Sequence, residues 1–524
     1  MPNPTEAARL KAEGNDLFVK KDFTAAYKKY TQAIKHDEQN AVLYCNRAAC
    51  SLGLNRYLDA YTDAEKATKL DATYAKAWAR LASACAGLGK QEETVRTWKR
   101  ALAALPVQNL SAAELKQKEQ YAAELAAAEA RQARGAPRTA GVVMQIPERE
   151  SPWYRAEQIL ANGQTPHGKP WNSSAWLIVS AHTAWATAMA GMQQLQLVNT
   201  PAGQGYFGRI GIIEWLSNAV IEDQRSFMIS DQNFLDQYNK QVMFEMTQTG
   251  AWPHGSSRTV MEEAPKRVAR EGWDKVRGAL ALTVRTWVMR AFIQGNLTED
   301  VNASLDFYTS AIEVLRWGIQ LWRDVPQEVK GAMFQDSFLR GVKCLRLDAM
   351  IKAYTIHPGQ ASKLPLSEIL AGAQDLIDEL ASAPEEPVDE SLYPFHLGFI
   401  RYPLAQAHSL RGFCHRQTAK HIRLAGGPAS EVADHLKTAT EAYLRAADIY
   451  PADDEKHLDC LHLAFECLRE TGCSSGEQLA LLNRIHDAVP VVKRIWEHSA
   501  DWVSGRNVAL QNDMAVRDSL LNTM

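Results

Sequence analysis

The first hundred residues repeat every 34 positions, and a period of that length makes a chain stack like units on one another instead of closing around one central core. Aligned at Ala7, Ala41 and Ala75, a large residue falls at Leu10, Tyr44 and Trp78, and a small one at Gly14, Ala48 and Ala82. Later in each unit small residues recur at Ala33, Ala67 and Ala101, Tyr30 and Trp98 share one register position, and Pro106 ends the third unit. The small residues at these register positions suit the packing of one helix on its neighbour.

This pattern resembles the tetratricopeptide repeat, whose helix pairs stack into a right-handed superhelix with a concave inner wall. Residues 112–134 (AAELKQKEQYAAELAAAEARQAR) are rich in strong helix formers and suit the capping helix that such arrays need. Gly135, Ala136 and Pro137 end it, and the stretch holding Pro147 and Pro152 reads as a linker. The expected organisation is a repeat domain over 1–134, a linker over 135–152 and a helical domain over 153–524.

In the first helix of each repeat the second, fifth, sixth and ninth positions follow helical spacing along the groove-lining face. Those positions hold Lys11 and Asn15 in the first repeat, Asn46 in the second, and Lys76 and Arg80 in the third. Two amides and three cations thus converge on one concavity with no carboxylate opposing them. The chemistry open to such a set is capture of a chain-terminal carboxylate and the side-chain carboxylate of a terminal acidic residue. Asn supplies amide donors, Lys a point charge and Arg a planar fork that binds an acid bidentately.

The segments K-A-E-G-N, Y-C-N-R-A and A-K-A-W-A-R resemble the carboxylate-clamp repeats of chaperone-organising and small glutamine-rich co-chaperones. The clamp positions of that family match Lys11, Asn15, Asn46, Lys76 and Arg80, at spacings of 4, 31, 30 and 4 residues. The resemblance covers residues 5–134 and implies binding of the Glu-Glu-Val-Asp tail of the cytosolic 70-kDa and 90-kDa heat-shock chaperones. Pockets for the residues preceding that tail are expected near Phe18, Ala49 and Thr73, which do not decide between the two chaperones. Thr94, where the family has Ala, and Glu38 and Ala72, where it has Pro, bear on packing and loops and not on the clamp.

From residue 153 onward apolar residues recur at helical spacing with no alternating strand pattern, so the whole chain is expected to be all-α. Twelve of the 14 Trp lie there, which argues for a packed core. Ala439, Tyr443, Ala446 and Pro451 reproduce the spacing of a repeat's second helix, and Ser304, Tyr308 and Ala311 echo it, so the region reads as a degenerate helical-hairpin array. Residues 171–208 contain no Asp, Glu, Lys or Arg, yet Ser180, His182, Thr183 and Thr187 favour a buried helix over a membrane span across 175–192. Gly203-Gln-Gly-Tyr-Phe-Gly208 matches G-x-G-x-x-G, but the preceding QLQLVNTPA is too polar for a buried strand, and a loop between helices is expected.

In the set His457, Cys460, His462, Cys467 the first two read as packing residues of the helix after Pro451, and the set His408, Cys414, His415, His421 lacks paired-ligand spacing, so no metal or other cofactor is expected. Nucleophile-elbow, zincin, P-loop and kinase motifs are missing, so no enzyme is expected. A net charge of −3, divided as +5 over residues 1–134 and −8 over the rest, points to no nucleic acid. Eight cysteines without a C-x-x-C pair, and an N-terminal stretch without an apolar core, suggest a reducing cytoplasmic compartment, where Asn172-Ser-Ser and similar tripeptides carry no sugar. The expected role is an adaptor whose groove docks a chaperone tail while the larger region binds a client, a second partner or itself. Two alternatives stay open: an organelle-surface docking receptor for precursor proteins, and an unrecognised helical enzyme domain after residue 150.

Overall fold

The computed structural model describes all residues except 1–2, 107, 109, 134–145, 167, 201–202, 230–232, 254, 299, 357–364, 388 and 524. The three repeats are the helix pairs α1 (Pro4–Val19) and α2 (Phe23–His36), α3 (Ala41–Gly53) and α4 (Tyr57–Leu70), and α5 (Ala75–Gly87) and α6 (Gln91–Ala103). They are followed by α7 (Ala112–Ala133), α8 (Pro152–Ala161), α9 (Ser174–Met192), β1 (Gln196–Thr200), β2 (Gly203–Phe207), α10 (Ile212–Glu222) and α11 (Phe234–Thr249). Then come α12 (Ser257–Glu271), α13 (Trp273–Leu297), α14 (Val301–Leu321), α15 (Gln327–Lys330), α16 (Asp336–Ile356), α17 (Leu366–Leu380) and α18 (Tyr393–His396). The last five helices are α19 (Tyr402–Leu424), α20 (Ala429–Ile449), α21 (Glu455–Arg469), α22 (Ser475–Trp496) and α23 (Asn507–Thr523).

The 34-residue register of the sequence is the register of the packing. Gly14 of α1 faces Tyr30 of α2 so closely that a Cβ on Gly14 would lie 2.8 Å from the ring, while Ala48 and Ala82 at the same position are fully buried. Lys21, Asn55 and Gly89, again 34 apart, carry φ values of 62°, 56° and 70° at the turn inside each repeat. Only the third of these turns uses the residue that adopts left-handed backbone without a Cβ penalty. Asn3, Asp22 and Asn40 cap α1, α2 and α3 with side-chain oxygens, satisfying backbone donors left open in the first turn. The expected capping helix is present: Tyr121 of α7 is buried with its ring 5.4 Å from that of Trp98.

The chain forms two compact units, one of residues 1–141 with 245–334 and the other of residues 142–244 with 335–524. The expected single block over 153–524 is thus divided, its 245–334 portion belonging with the repeats. In that first unit α12 and α14 pack on α4, and α13 and α14 form a long hairpin in which Ser304, Tyr308 and Ala311 are buried. Most of the expected linker, residues 135–145, lies outside the described residues, and Pro152 already opens α8 under a Ser151 cap.

In the second unit a core of Trp171, Leu177, Tyr443, Phe465 and Trp496 joins α8 and α9 to α19–α23. The α19–α20 pair repeats the Gly14–Tyr30 contact, since a Cβ on Gly412 would lie 3.0 Å from the Tyr443 ring. The span 175–192 falls in α9, where half of these residues are buried and Ser180 donates to Glu222 at 2.9 Å. No helix among the described residues is long and apolar enough to cross a membrane.

The fold is all-α as expected, and one local expectation, the loop at Gly203–Gly208, needs correction. Strands β1 and β2 pair antiparallel, from Gln196 with Phe207 to Thr200 with Gly203, so Gly203–Phe207 is half of a hairpin and not a loop between helices. Main-chain hydrogen bonds hold such a hairpin whatever the polarity of its side chains, which is why the polar sequence hid it. Gly203 and Gly205 lie along an antiparallel strand, with Gly208 just past its end, and not in the strand-to-helix turn that a dinucleotide site requires.

Candidate functional site

The first helices of the three repeats supply the inner wall. On α1 the pair Lys11 and Asn15, and on α5 the pair Lys76 and Arg80, stand four residues apart and so one above the other on a single helix face. Asn46 stands on α3 between them.

A cavity of about 310 Å³ opens at this wall, lined by Asn15, Asn46, Lys76 and Arg80 together with Phe18, Val19, Tyr30, Cys45, Ala49 and Tyr74. Four of the five expected clamp residues and two of the three expected pocket residues therefore share one cavity. Lys11 is not among its lining residues and lies one turn from Asn15 on the same face. Thr73 is outside it too: its hydroxyl donates to Asp71 at 2.7 Å in the loop before α5.

The polar groups of this cavity are organised before any ligand arrives. Tyr30 donates its hydroxyl to Asn15 Oδ1 at 2.7 Å, and Asn46 Nδ2 reaches the same oxygen at 3.2 Å. Burial pushes the Tyr30 hydroxyl up to about 12, so it keeps the proton that it donates. With its oxygen engaged twice, Asn15 has its amide N–H groups left to offer an acceptor. Lys11, Lys76 and Arg80 form no ion pair with a carboxylate among the described residues, so three positive charges stand at the groove without a counter-ion.

Beneath them Cys45 is buried, and burial pushes its thiol up, against the opposing pull of Arg80. That thiol is a packing group and not a nucleophile. Tyr30 carried a visible signal in the sequence, its shared register with Trp98, although that signal spoke of packing. Cys45 holds the fifth position of its repeat, one of the groove-lining ones, but a thiol there gives no sign of a carboxylate site. Tyr74 and Val19 carried no signal, because each stands outside the groove-lining positions.

Four of the five histidines of the two His/Cys sets are engaged elsewhere. His457 Nδ1 lies 2.7 Å from the Ala447 carbonyl, His462 Nδ1 2.6 Å from Asp513, His415 Nδ1 2.9 Å from that of His435, and His421 Nε2 2.9 Å from the Tyr354 hydroxyl. No group of three or more His, Cys, Asp or Glu among the described residues is placed to hold a metal ion.

Comparison with known proteins finds relatives of the repeat region. The chain is 48% identical over 83 residues to the heat shock protein sti1 homolog of Schizosaccharomyces pombe, which is 16% of this chain and 14% of that protein. It is 40% identical over 97 residues to small glutamine-rich tetratricopeptide repeat-containing protein 2 of Saccharomyces cerevisiae, 18% of this chain and 28% of that one. The front of the chain is a tetratricopeptide-repeat module similar to the repeats of these two proteins.

The matched stretch spans only about a seventh to a quarter of these relatives' own length. Among solved structures, the second tetratricopeptide domain of human RPAP3 in complex with the HSP70 peptide SGPTIEEVD is 30% identical, aligning with 24% of this chain and 98% of that one at a TM-score of 0.22. The first such domain of Spaghetti (RPAP3), bound to the HSP90 peptide SRMEEVD, is 28% identical over 24% of this chain and 97% of that one, at a TM-score of 0.21. No family model matches the chain.

Proposed function

We propose that the protein is a cytosolic, non-enzymatic adaptor whose repeat groove captures the acidic C-terminal tail of a 70-kDa or 90-kDa heat-shock chaperone. Lys11, Asn15, Asn46, Lys76 and Arg80 receive the terminal carboxylate and the side chain of the final Asp. The single observation that carries this reading is the meeting of Asn15, Asn46, Lys76 and Arg80 around one cavity in which the cations have no carboxylate partner among the described residues. Unpaired cations with preset amide donors match a doubly charged chain end, and charge-assisted hydrogen bonds are the strong ones. The matched relatives, a heat shock protein homolog and a small glutamine-rich repeat protein, support it. Phe18, Ala49 and Tyr74 offer apolar surface to the residues preceding the tail. The second unit would then hold a client or a further protein partner.

Calorimetry tests the reading. A free-acid peptide ending in Glu-Glu-Val-Asp should bind with roughly micromolar affinity, about −8 kcal/mol. The same peptide with an amidated C-terminus lacks one of the two charges and should bind much more weakly. Equal affinities would show that the groove does not read a chain end.

A further inference from the structure

We propose that Arg258 of α12 is a positioning residue for the peptide groove, holding α3, and through it Asn46, by sharing the carboxylate of Asp63 with Arg47. The proposal rests on the clamp reading above and adds a part that the repeats themselves do not contain.

Asn46 and Arg47 are neighbours on α3, and at 3.6 residues per turn their side chains leave the helix about 100° apart. Asn46 lines the groove, while Arg47 is buried and points to the second helices of the repeats. Its Nε and Nη2 each lie 2.7 Å from an oxygen of Asp63 on α4, and its Nη1 lies 3.1 Å from Thr31 on α2. Asp63 is itself only 1% exposed. From residues far outside the repeats, Arg258 Nη2 reaches the same carboxylate at 2.6 Å and its Nη1 reaches the Tyr27 hydroxyl at 2.6 Å.

One buried carboxylate is therefore gripped by two guanidiniums, one from the groove helix and one from α12. The planar fork of each fixes its angle as well as its distance, and withdrawing one partner from a buried ionic cluster leaves the remainder poorly compensated. The Arg47 side chain can then shift, carrying the adjacent Asn46. A groove that recognises a carboxylate by direction loses affinity when a donor moves by a fraction of an ångström.

The same surface carries a second set of contacts that does not involve α3. Arg56 Nη2 lies 3.1 Å from Glu313 of α14, and Ser257 donates to Glu313 at 2.5 Å. Glu313→Gln therefore loosens the packing of α12–α14 on α4 without touching Asp63, and it serves as the control for a purely structural effect.

The experiment is calorimetry of the free-acid Glu-Glu-Val-Asp peptide on the full chain, with hydrogen exchange followed on α12. Arg258→Ala should weaken binding three- to tenfold with helix content unchanged, and Glu313→Gln should stay within twofold of the wild type. Peptide binding to the wild type should slow exchange along α12, and Arg258→Ala should abolish that slowing even at saturating peptide. If Arg258→Ala melts below the assay temperature, Arg258→Lys, which keeps the charge but cannot span Asp63 and Tyr27 together, should weaken binding two- to threefold. Wild-type affinity in the Arg258 variants, or equal weakening by Arg258→Ala and Glu313→Gln in step with their melting temperatures, would overturn the positioning role alone. No binding by the wild type would overturn it together with the clamp reading.

Discussion

Asp306 of α14 accepts a hydrogen bond from the backbone N–H of Leu58 at 3.0 Å, and so caps the first turn of α4 from a point 248 residues away in sequence. That helix needs the help: Arg56 at its own N-cap makes no side-chain cap, whereas Asp22 and Asn40 cap α2 and α3 locally. The cap is buried and crowded by charge. Asp59 and Glu313 face it as further acids and Arg56 as a base, and burial pushes the Asp306 carboxyl up to about 8 against the pull of the Leu58 N–H. Near neutrality Asp306 therefore keeps its proton while an oxygen still accepts from Leu58.

A pH dependence follows from the sign of that shift. The folded carboxyl titrates above its unfolded value of about 3.8, so its contribution to stability is fully present below about pH 4 and is lost as pH rises through about 8. Asp306→Asn keeps an oxygen for Leu58 and removes the titration. The variant should lose this part of the fall in melting temperature between pH 5 and pH 9 and should be the more stable protein at pH 9. Parallel curves for the two proteins would mean that Asp306 is not the titrating group. Asp306→Ala removes the cap itself and should cost about 1 kcal/mol, measured by denaturant melting at pH 6.

Gly14 tests the link between repeat packing and the groove. An added Cβ would sit 2.8 Å from the Tyr30 ring, which is 1% exposed and has no room to step back. Gly14→Ala should therefore destabilise the chain by about 1–3 kcal/mol, the usual cost of overpacking. Because the same tyrosine holds Asn15 Oδ1 at 2.7 Å, peptide affinity should fall as well. Stability lost with affinity unchanged would show that Asn15 needs no support from Tyr30.

The residues that were legible in the sequence are those with a periodic mark. Gly14 and Tyr30, and the proposed clamp positions from Asn15 to Arg80, lie on a 34-residue grid, and the grid places helix, face and neighbour together. Arg258 and Asp306 are as well placed against the repeats, but their partners Asp63 and Leu58 lie 195 and 248 residues away and no local pattern announces them. Strands β1 and β2 stayed hidden because the pairing of Val198 with Gly205 is a main-chain event that needs no apolar alternation. Tyr74 lines the groove from the residue just before α5, outside the helix positions that spacing alone can assign.

A fragment of residues 1–134 is expected to fold on its own, because each repeat packs mainly on the next and α7 closes the end. It should melt cooperatively and below the temperature at which the first unit melts in the full chain. Without residues 245–334, α4 loses the Asp306 cap, and Asp63 and Tyr27 lose Arg258. Circular dichroism during heating decides the point. An unfolded fragment would place the true boundary of the repeat domain beyond α7.

The proposed clamp makes the most direct prediction. Lys76 and Arg80 stand exposed on one face of α5, with no carboxylate partner among the described residues, so removing either charge leaves no buried ion behind. Charge-assisted hydrogen bonds contribute about 1.5–3 kcal/mol each, so Arg80→Ala or Lys76→Ala should weaken binding of a Glu-Glu-Val-Asp peptide by about tenfold to a hundredfold. Helix content and melting temperature should barely change, since neither side chain belongs to a core. Arg80→Lys should recover only part of the loss, because a point charge cannot replace a bidentate fork. Raising the salt concentration should weaken wild-type binding more than that of either alanine variant, as fewer charge contacts are then left to screen. Calorimetry of the three variants at two salt concentrations measures all of this. Affinities that match the wild type would remove Lys76 and Arg80 from the site.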